Sequence, residues 1–99
     1  MKFYDAIENA IPTNHMVSSL LWLAECDADI NEETELDIDL AGCIVYGKRT
    51  FDLYECSLYF PDLDFEYRFW LDTYGDPYQK TIGHEYRPTT IEDIAEGHY

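Results

Sequence analysis

The fold is decided by residues 35–60, which read ELDIDLAGCIVYGKRTFDLYECSLYF. Apolar residues alternate with three acids in the first part of this segment, and this period of two predicts a β-strand. From position 40 to Tyr46 almost every residue is apolar or small. We therefore expect a strand whose first half is solvated on one face and whose second half is covered on both. Gly47-Lys48-Arg49 predicts a turn, and residues 50–60 predict the next strand.

The chain downstream continues this pattern. Pro61-Asp62 breaks the second strand, because proline presets the dihedral angle that a turn requires. Residues 65–71 alternate again and predict a third strand, and the short connections favour an antiparallel meander. A turn signal at residues 74–77 is followed by residues 78–86, which predict a short edge strand, although Gly83 counts against it. The expected sheet therefore has three or four strands.

Helical patterns lie on both sides of the predicted sheet. Residues 2–11 place apolar side chains at helical spacing before Pro12, and Thr13 is positioned to cap a second helix that runs to about Cys26. Thr89 and Glu92 have the spacing of a capping box for a short final helix. The prediction is a single α+β domain over residues 1–99, with two N-terminal helices, three to four antiparallel strands and a short C-terminal helix.

Charge is the most unusual property of the composition. The chain has 21 Asp and Glu residues against six Lys and Arg, so its formal net charge is −15. Its 46% hydrophobic and 16% aromatic content differs from that of a disordered acidic chain. Self-repulsion of this size opposes compaction, and folding does not require it. A surface adapted to solubility or to high salt would explain the charge, but we favour an electrostatic field that serves binding.

The cysteines and the apolar runs bear on the compartment. Cys26, Cys43 and Cys56 form no C-x-x-C pair, which predicts free and mostly buried thiols in a reducing compartment. The N-terminal residues do not resemble a secretory signal, and no apolar run reaches the ~18 residues of a membrane span. We expect a cytoplasmic protein (the host cytoplasm, if a phage encodes it).

The acids concentrate in two segments. Eight carboxylates lie between positions 25 and 39 with no Lys or Arg among them, and three more precede or begin the third strand. Alternate side chains of a strand share a face at a spacing of about 6.6 Å, so each segment would present a row of negative charges. The first row is Glu35, Asp37 and Asp39, and the second is Asp62, Asp64 and Glu66. The residues predicted to bind a partner are Glu25, Asp27, Asp29, Glu32, Glu33, Glu35, Asp37, Asp39, Asp62, Asp64 and Glu66.

Such rows resemble the phosphates of a nucleic-acid strand, which repeat at an axial rise of about 3.4 Å. A groove lined with Lys and Arg would bind them with the counterion release that drives nucleic-acid binding. For either row alone, the solvated outer side of a sheet is the simpler explanation. Two rows, an acidic connection and the net charge together favour mimicry of a nucleic acid.

Other chemistry has weaker support. Residues 27–31 resemble the start of a calcium-binding EF-hand loop, but Glu32 and Ile38 stand where such a loop has glycine and a bidentate glutamate. The three histidines, including His98, are isolated from one another, and no nucleophile or phosphate-loop motif is present. The few basic residues argue against direct binding of nucleic acid. We therefore predict no enzyme, no catalytic residue, no metal and no cofactor.

These observations favour a small inhibitor that binds the DNA- or RNA-binding surface of a host defence or nucleic-acid-processing protein. The chain is similar to anti-CRISPR and antirestriction proteins of phages and mobile elements in size, charge and carboxylate pattern, and it carries no motif diagnostic of one family. One alternative is an immunity protein or antitoxin that neutralises a basic nuclease toxin. Another is an acidic structural or regulatory module without mimicry. The expected partner of an inhibitor is a basic nucleic-acid-binding protein, without a membrane or direct nucleic-acid contact.

Overall fold

The structure, a computed structural model, describes residues 1–97, so the prediction for His98 lies outside the described residues. Within this range two helices precede a five-stranded sheet and one helix follows it. The helices are α1 (Phe3–Asn9), α2 (Asn14–Cys26) and α3 (Ile91–Glu96). The strands are β1 (Glu35–Tyr46), β2 (Arg49–Phe60), β3 (Phe65–Asp72), β4 (Pro77–Lys80) and β5 (Tyr86–Pro88).

The sheet is an antiparallel meander with the strand order β1-β2-β3-β4-β5. The predicted α+β class, with its N-terminal helices and short C-terminal helix, is confirmed. The sheet has five strands rather than three or four, because the segment predicted as one edge strand forms two. A turn that contains Gly83 separates them, with the His84 N–H donating to the Thr81 carbonyl at 2.9 Å.

Side-chain caps fix where two of the helices begin. Thr13 Oγ1 accepts a hydrogen bond from the Met16 N–H at 3.2 Å, which confirms the predicted start of α2. Helix α3 begins one residue later than predicted, since Thr90 accepts from the Asp93 N–H at 3.1 Å. A threonine cap satisfies a backbone donor that the first turn of a helix leaves unpaired.

A β-bulge in β1 determines which side chains share a face. Leu40 lies opposite Tyr54, whereas Gly42 lies opposite Leu53, so Ala41 is an extra residue in β1. One extra residue reverses the alternation of a strand relative to its neighbour. Even-numbered side chains of β1 therefore face the helices before the bulge and the opposite side of the sheet after it.

The bulge thus divides the apolar side chains between two clusters. The main core lies between the helices and one face of the sheet, and its buried residues include Phe3, Leu20, Leu36, Leu58 and Phe69. A smaller cluster lies on the opposite face, which we call the open face. Its buried residues are Leu53, Trp70 and Tyr78, with Ile44 and Tyr86 packed against them.

The prediction that the second half of β1 is covered on both faces is wrong. Ala41 and Cys43 are exposed and Val45 is 67% accessible, because the main core ends before these positions. The prediction of mostly buried thiols is also wrong, since Cys56 is buried but Cys26 and Cys43 are exposed. Among residues 1–97, no helix has the length and apolar character needed to cross a membrane.

Candidate acidic interface

The predicted acids of the connection between α2 and β1 differ in exposure. Glu25 is exposed in the last turn of α2, Glu32 and Glu33 are exposed in the loop, and Asp29 is half-buried. Asp27 is only 1% exposed, and its Oδ1 accepts a hydrogen bond from the Asp29 N–H at 3.0 Å. Its placement among the surface charges is therefore wrong, because this carboxylate serves the backbone at the start of the loop.

The first predicted row lies on the open face of the sheet. Glu35, Asp37 and Asp39 precede the bulge, and their partners in β2 are Tyr59, Ser57 and Glu55. Because the even-numbered residues of this half face the main core, the three acids point away from the helices. Asp37 and Asp39 are exposed, and Glu35 is half-buried.

The second predicted row is not a row along one strand. Strand β3 begins at Phe65, so Asp62 and Asp64 lie in the turn between β2 and β3 and only Glu66 belongs to the strand. Asp64 has a left-handed backbone with φ 47°, which aspartate tolerates better than most residues do. The turn that begins at Pro61 ends the extended conformation that a row would need.

The turn nevertheless brings its acids next to those of β1. Tyr59 lies opposite both Glu35 and Glu66, so all three side chains share the open face. The Tyr59 O–H donates to Asp64 Oδ1 at 2.8 Å. This hydrogen bond is the main reason that the pKa of Tyr59 is raised, followed by desolvation and by the charges of Asp64 and Glu35.

Asp62 lies beside the acids of the loop. It lines a depression of about 750 Å³, whose other lining residues are Tyr4, Asn31, Glu32 and Glu33. Lys2 connects this region to β1, because its Nζ lies 3.1 Å from Glu33 Oε2 and its backbone pairs with Glu35. The loop, the turn and the first half of β1 therefore form one continuous region.

Two charged residues of this region were not predicted from the sequence. Glu55 lies directly opposite Asp39 on the open face. Arg68 lies in β3, with its Nε 2.7 Å from Glu66 Oε1 and its Nη1 3.8 Å from Glu55 Oε1. The guanidinium lowers the pKa of the Glu66 carboxyl, chiefly through the hydrogen bond. Placing Glu55 opposite Asp39 requires the register of β1 against β2, and that register depends on the bulge, which the alternation does not predict.

We call the combined set of nine carboxylates the acidic surface: Glu32, Glu33, Glu35, Asp37, Asp39, Glu55, Asp62, Asp64 and Glu66. In the described part of the chain, three cationic groups make ion pairs with it. They are Lys2, Arg68 and the N-terminal amine, which lies 3.6 Å from Asp37 Oδ1. These pairs join mostly exposed groups, and such pairs are weak and screened by salt. The surface therefore keeps a strongly negative potential.

The EF-hand-like segment uses its oxygens locally. Asn31 Oδ1 accepts from the Glu33 N–H at 2.8 Å, and Thr34 Oγ1 accepts from the Asn31 N–H at 2.9 Å. Over residues 1–97, no group of three or more His, Cys, Asp or Glu side chains is arranged to hold a metal ion. Chemically, the acidic surface can bind several cationic groups at the same time.

No protein-family model, no curated protein and no solved structure matches this chain.

Proposed function

We propose that this protein is an inhibitor of the anti-CRISPR or antirestriction type, encoded by a phage or a mobile element. Its acidic surface would occupy the DNA- or RNA-binding surface of a host defence or nucleic-acid-processing protein. One observation carries the proposal: Glu35, Asp37, Asp39, Glu55 and Glu66 gather on a sheet face that the main core does not use.

The spacing of these carboxylates suits a groove that binds phosphates. The three acids of β1 repeat at about 6.6 Å along the strand. Glu55 lies one strand away from them and Glu66 two strands away, at about 4.8 Å and about 10 Å across the sheet. The result is a rigid two-dimensional set of negative charges, which several Lys and Arg side chains of one groove can contact together.

A solubilising role explains this arrangement less well. Asp39 and Glu55 are like charges directly opposite each other, and such pairs destabilise a sheet. Solubility requires charge only at exposed positions, and it gives no reason to prefer positions that oppose folding.

The mechanism that follows is electrostatic competition. The negative surface accelerates encounter with a basic groove. On contact, the partner's Lys and Arg side chains exchange their contacts with phosphates for contacts with carboxylates. The affinity should fall as salt rises, in proportion to the number of counterions released.

The test uses immobilised protein to capture partners from a bacterial lysate at about 0.15 M and then about 0.5 M salt. Each protein retained at the higher salt is then purified, and its affinity for DNA or RNA is measured with and without the chain. We expect one nucleic-acid-binding protein or complex to be retained and to lose its nucleic acid competitively.

A pair of triple variants separates local pattern from net charge. The first replaces Glu35, Asp37 and Asp39 with Ser, and the second replaces the exposed residues Glu8, Asp52 and Glu96 with Ser. Both variants change the net charge equally, but only the first alters the acidic surface. The first should bind the captured protein at least about tenfold more weakly, with a shallower salt dependence, and the second should bind like the parent.

Equal effects of the two triple variants would contradict the proposal, because binding would then follow net charge alone. Capture at the lower salt of only ribosomal and other basic proteins, all of which wash away at the higher salt, would contradict the proposal as well. In that case the acidic residues would serve only to solvate the surface.

A further inference from the structure

A second feature of the open face lies at the end of β1 remote from Glu35. It is a cavity of about 450 Å³ lined by Tyr46, Phe51, Tyr78, Asp72, Asp76 and two prolines. This volume is typical of pockets that hold small ligands or single side chains. None of the acidic-surface residues lines the cavity.

The floor of the cavity holds a buried carboxylate. Asp72 is 2% exposed and Tyr78 is 3% exposed, and the Tyr78 O–H donates to Asp72 Oδ2 at 2.9 Å. Asp72 Oδ1 accepts the backbone N–H groups of Tyr74 and Asp76 at 2.9 and 3.1 Å. A carboxylate offers about four acceptor positions, and hydrogen bonds within residues 1–97 occupy three of those of Asp72.

The rim holds a second carboxylate and an exposed aromatic ring. Asp76 and Tyr46 are both exposed, so a ligand can reach them from solvent. Desolvation, together with the negative charge of Asp72, raises the pKa of Asp76. Among residues 1–97, none that lines the cavity is cationic, and Arg49, which lies opposite Tyr46, does not line it. The cavity therefore concentrates negative charge beside apolar rings.

In the neighbouring part of the open face, aromatic rings already contact a cationic side chain of the protein itself. Lys80 Nζ lies 5.1 Å from the centroid of the Tyr86 ring and 5.8 Å from that of Trp70. Both distances are within the range in which a ring face attracts a cation. The cavity offers the same kind of rings together with two carboxylates, and its lining residues in the described part of the chain supply no cation.

We propose that this cavity binds a guanidinium group, as carried by an arginine side chain of a protein partner. A guanidinium is planar, stacks on aromatic faces and donates paired hydrogen bonds to carboxylates, whereas an ammonium is compact and more strongly hydrated. The two carboxylates neutralise its charge, and the rings Tyr46, Phe51 and Tyr78 cover its apolar stem. This site goes beyond the proposed function and stands whether or not the acidic surface binds a nucleic-acid-binding protein.

The test is a titration of the isotope-labelled protein with N-acetyl-arginine amide, followed through the aromatic NMR signals of Tyr46, Phe51 and Tyr78. We expect saturable shifts with a Kd of ~1–10 mM, as fits a single small ligand. N-acetyl-citrulline amide has nearly the same shape without the charge and should produce no saturable shift. N-acetyl-lysine amide should bind at least about threefold more weakly.

Two variants locate the binding. Asp76→Asn removes the exposed carboxylate with little change of shape and should weaken arginine binding at least about threefold. Asp52→Asn removes an exposed carboxylate of β2 that does not line the cavity, and it should leave binding unchanged. Unsaturable shifts, equal binding of the citrulline or lysine probe, or equal affinities of the two variants would each overturn the proposal.

Discussion

Replacing Asp39 with Asn should stabilise the fold while weakening the acidic surface. Asp39 lies directly opposite Glu55 in the antiparallel pair of β1 and β2. Cross-strand partners hold their Cβ atoms about 5 Å apart, and like charges in this position are destabilising. Asparagine keeps the shape of the side chain and removes one of the two charges.

The size of the effect follows from the separation of the charges. Two unit charges about 5.5 Å apart in water repel by about 0.8 kcal/mol. Arg68, whose Nη1 lies 3.8 Å from Glu55 Oε1, offsets part of this repulsion, although its shorter contact is to Glu66. We therefore expect a gain of about 0.5 kcal/mol at low salt, equivalent to ~2–4 °C in Tm for a chain of this size.

The assay is urea unfolding at about 0.02 M and about 1 M salt, because charge repulsion is almost fully screened at the higher concentration. Asp52→Asn is the matched control: Asp52 is exposed in β2 and lies opposite Cys43, so no carboxylate faces it across the β1–β2 pair. Asp39→Asn should gain more stability than the control at low salt and lose this advantage at high salt. A gain no larger than that of the control, or one that salt does not change, would refute the reasoning.

Three further predictions concern the turn after β3, the thiols and the cavity. Gly75→Ala should lose at least about 2 kcal/mol in urea unfolding, because φ is +80° and an added Cβ would lie 2.5 Å from the His15 carbonyl oxygen; a loss below about 0.5 kcal/mol would contradict this. A thiol reagent should modify the two exposed cysteines of the native protein, and Cys56, whose pKa burial raises, only after unfolding; three equal rates would be inconsistent with its burial. Because the pKa of Asp76 is raised above its ordinary value of 3.8, the folded state binds the proton more tightly and stability falls as pH rises through this range. Asp76→Asn should therefore be more stable than the parent at about pH 7 and lose that advantage below about pH 3.5. An equal difference in unfolding free energy at both pH values would contradict the raised pKa of Asp76.

The strands and helices were readable from the sequence because local patterns determine them. The alternation in residues 35–60 predicted both long strands, and Thr13 predicted the start of α2. In the sequence, Gly83 counts against a single edge strand, and in the structure it lies in a turn between two strands. A single glycine weakens a strand and favours a turn at once, and pairing with a neighbouring strand decides between these outcomes.

The composition of the open face was not readable, because it depends on the register between β1 and β2. Counting back from the two-residue turn would place Asp39 opposite Cys56, on the same side as the main core. The bulge at Ala41 shifts the pairing by one residue, so that Asp39 meets Glu55 instead. Gly42 in the interior of a strand was the available signal, since such glycines often mark bulges. Apolar residues of β1 occupy even-numbered positions both before and after Ala41. The alternation in the sequence therefore gives no sign that one residue is inserted there.

The same bulge explains why one face can carry both proposed binding features. Before it, the odd-numbered acids of β1 point to the open face; after it, the even-numbered Ile44 and Tyr46 point there. Without the inserted residue, acids and aromatic rings would lie on opposite sides of the sheet, and one partner could not contact both. With the inserted residue, the carboxylates of β1 and the cavity lie on the same face of the sheet. The cavity combines aromatic rings with the buried Asp72 and the partly desolvated Asp76. Arginine side chains combine a charge with a planar apolar surface. A face that presents carboxylates at one end and carboxylates among aromatic rings at the other is therefore better matched to an arginine-rich protein groove than to diffuse positive charge.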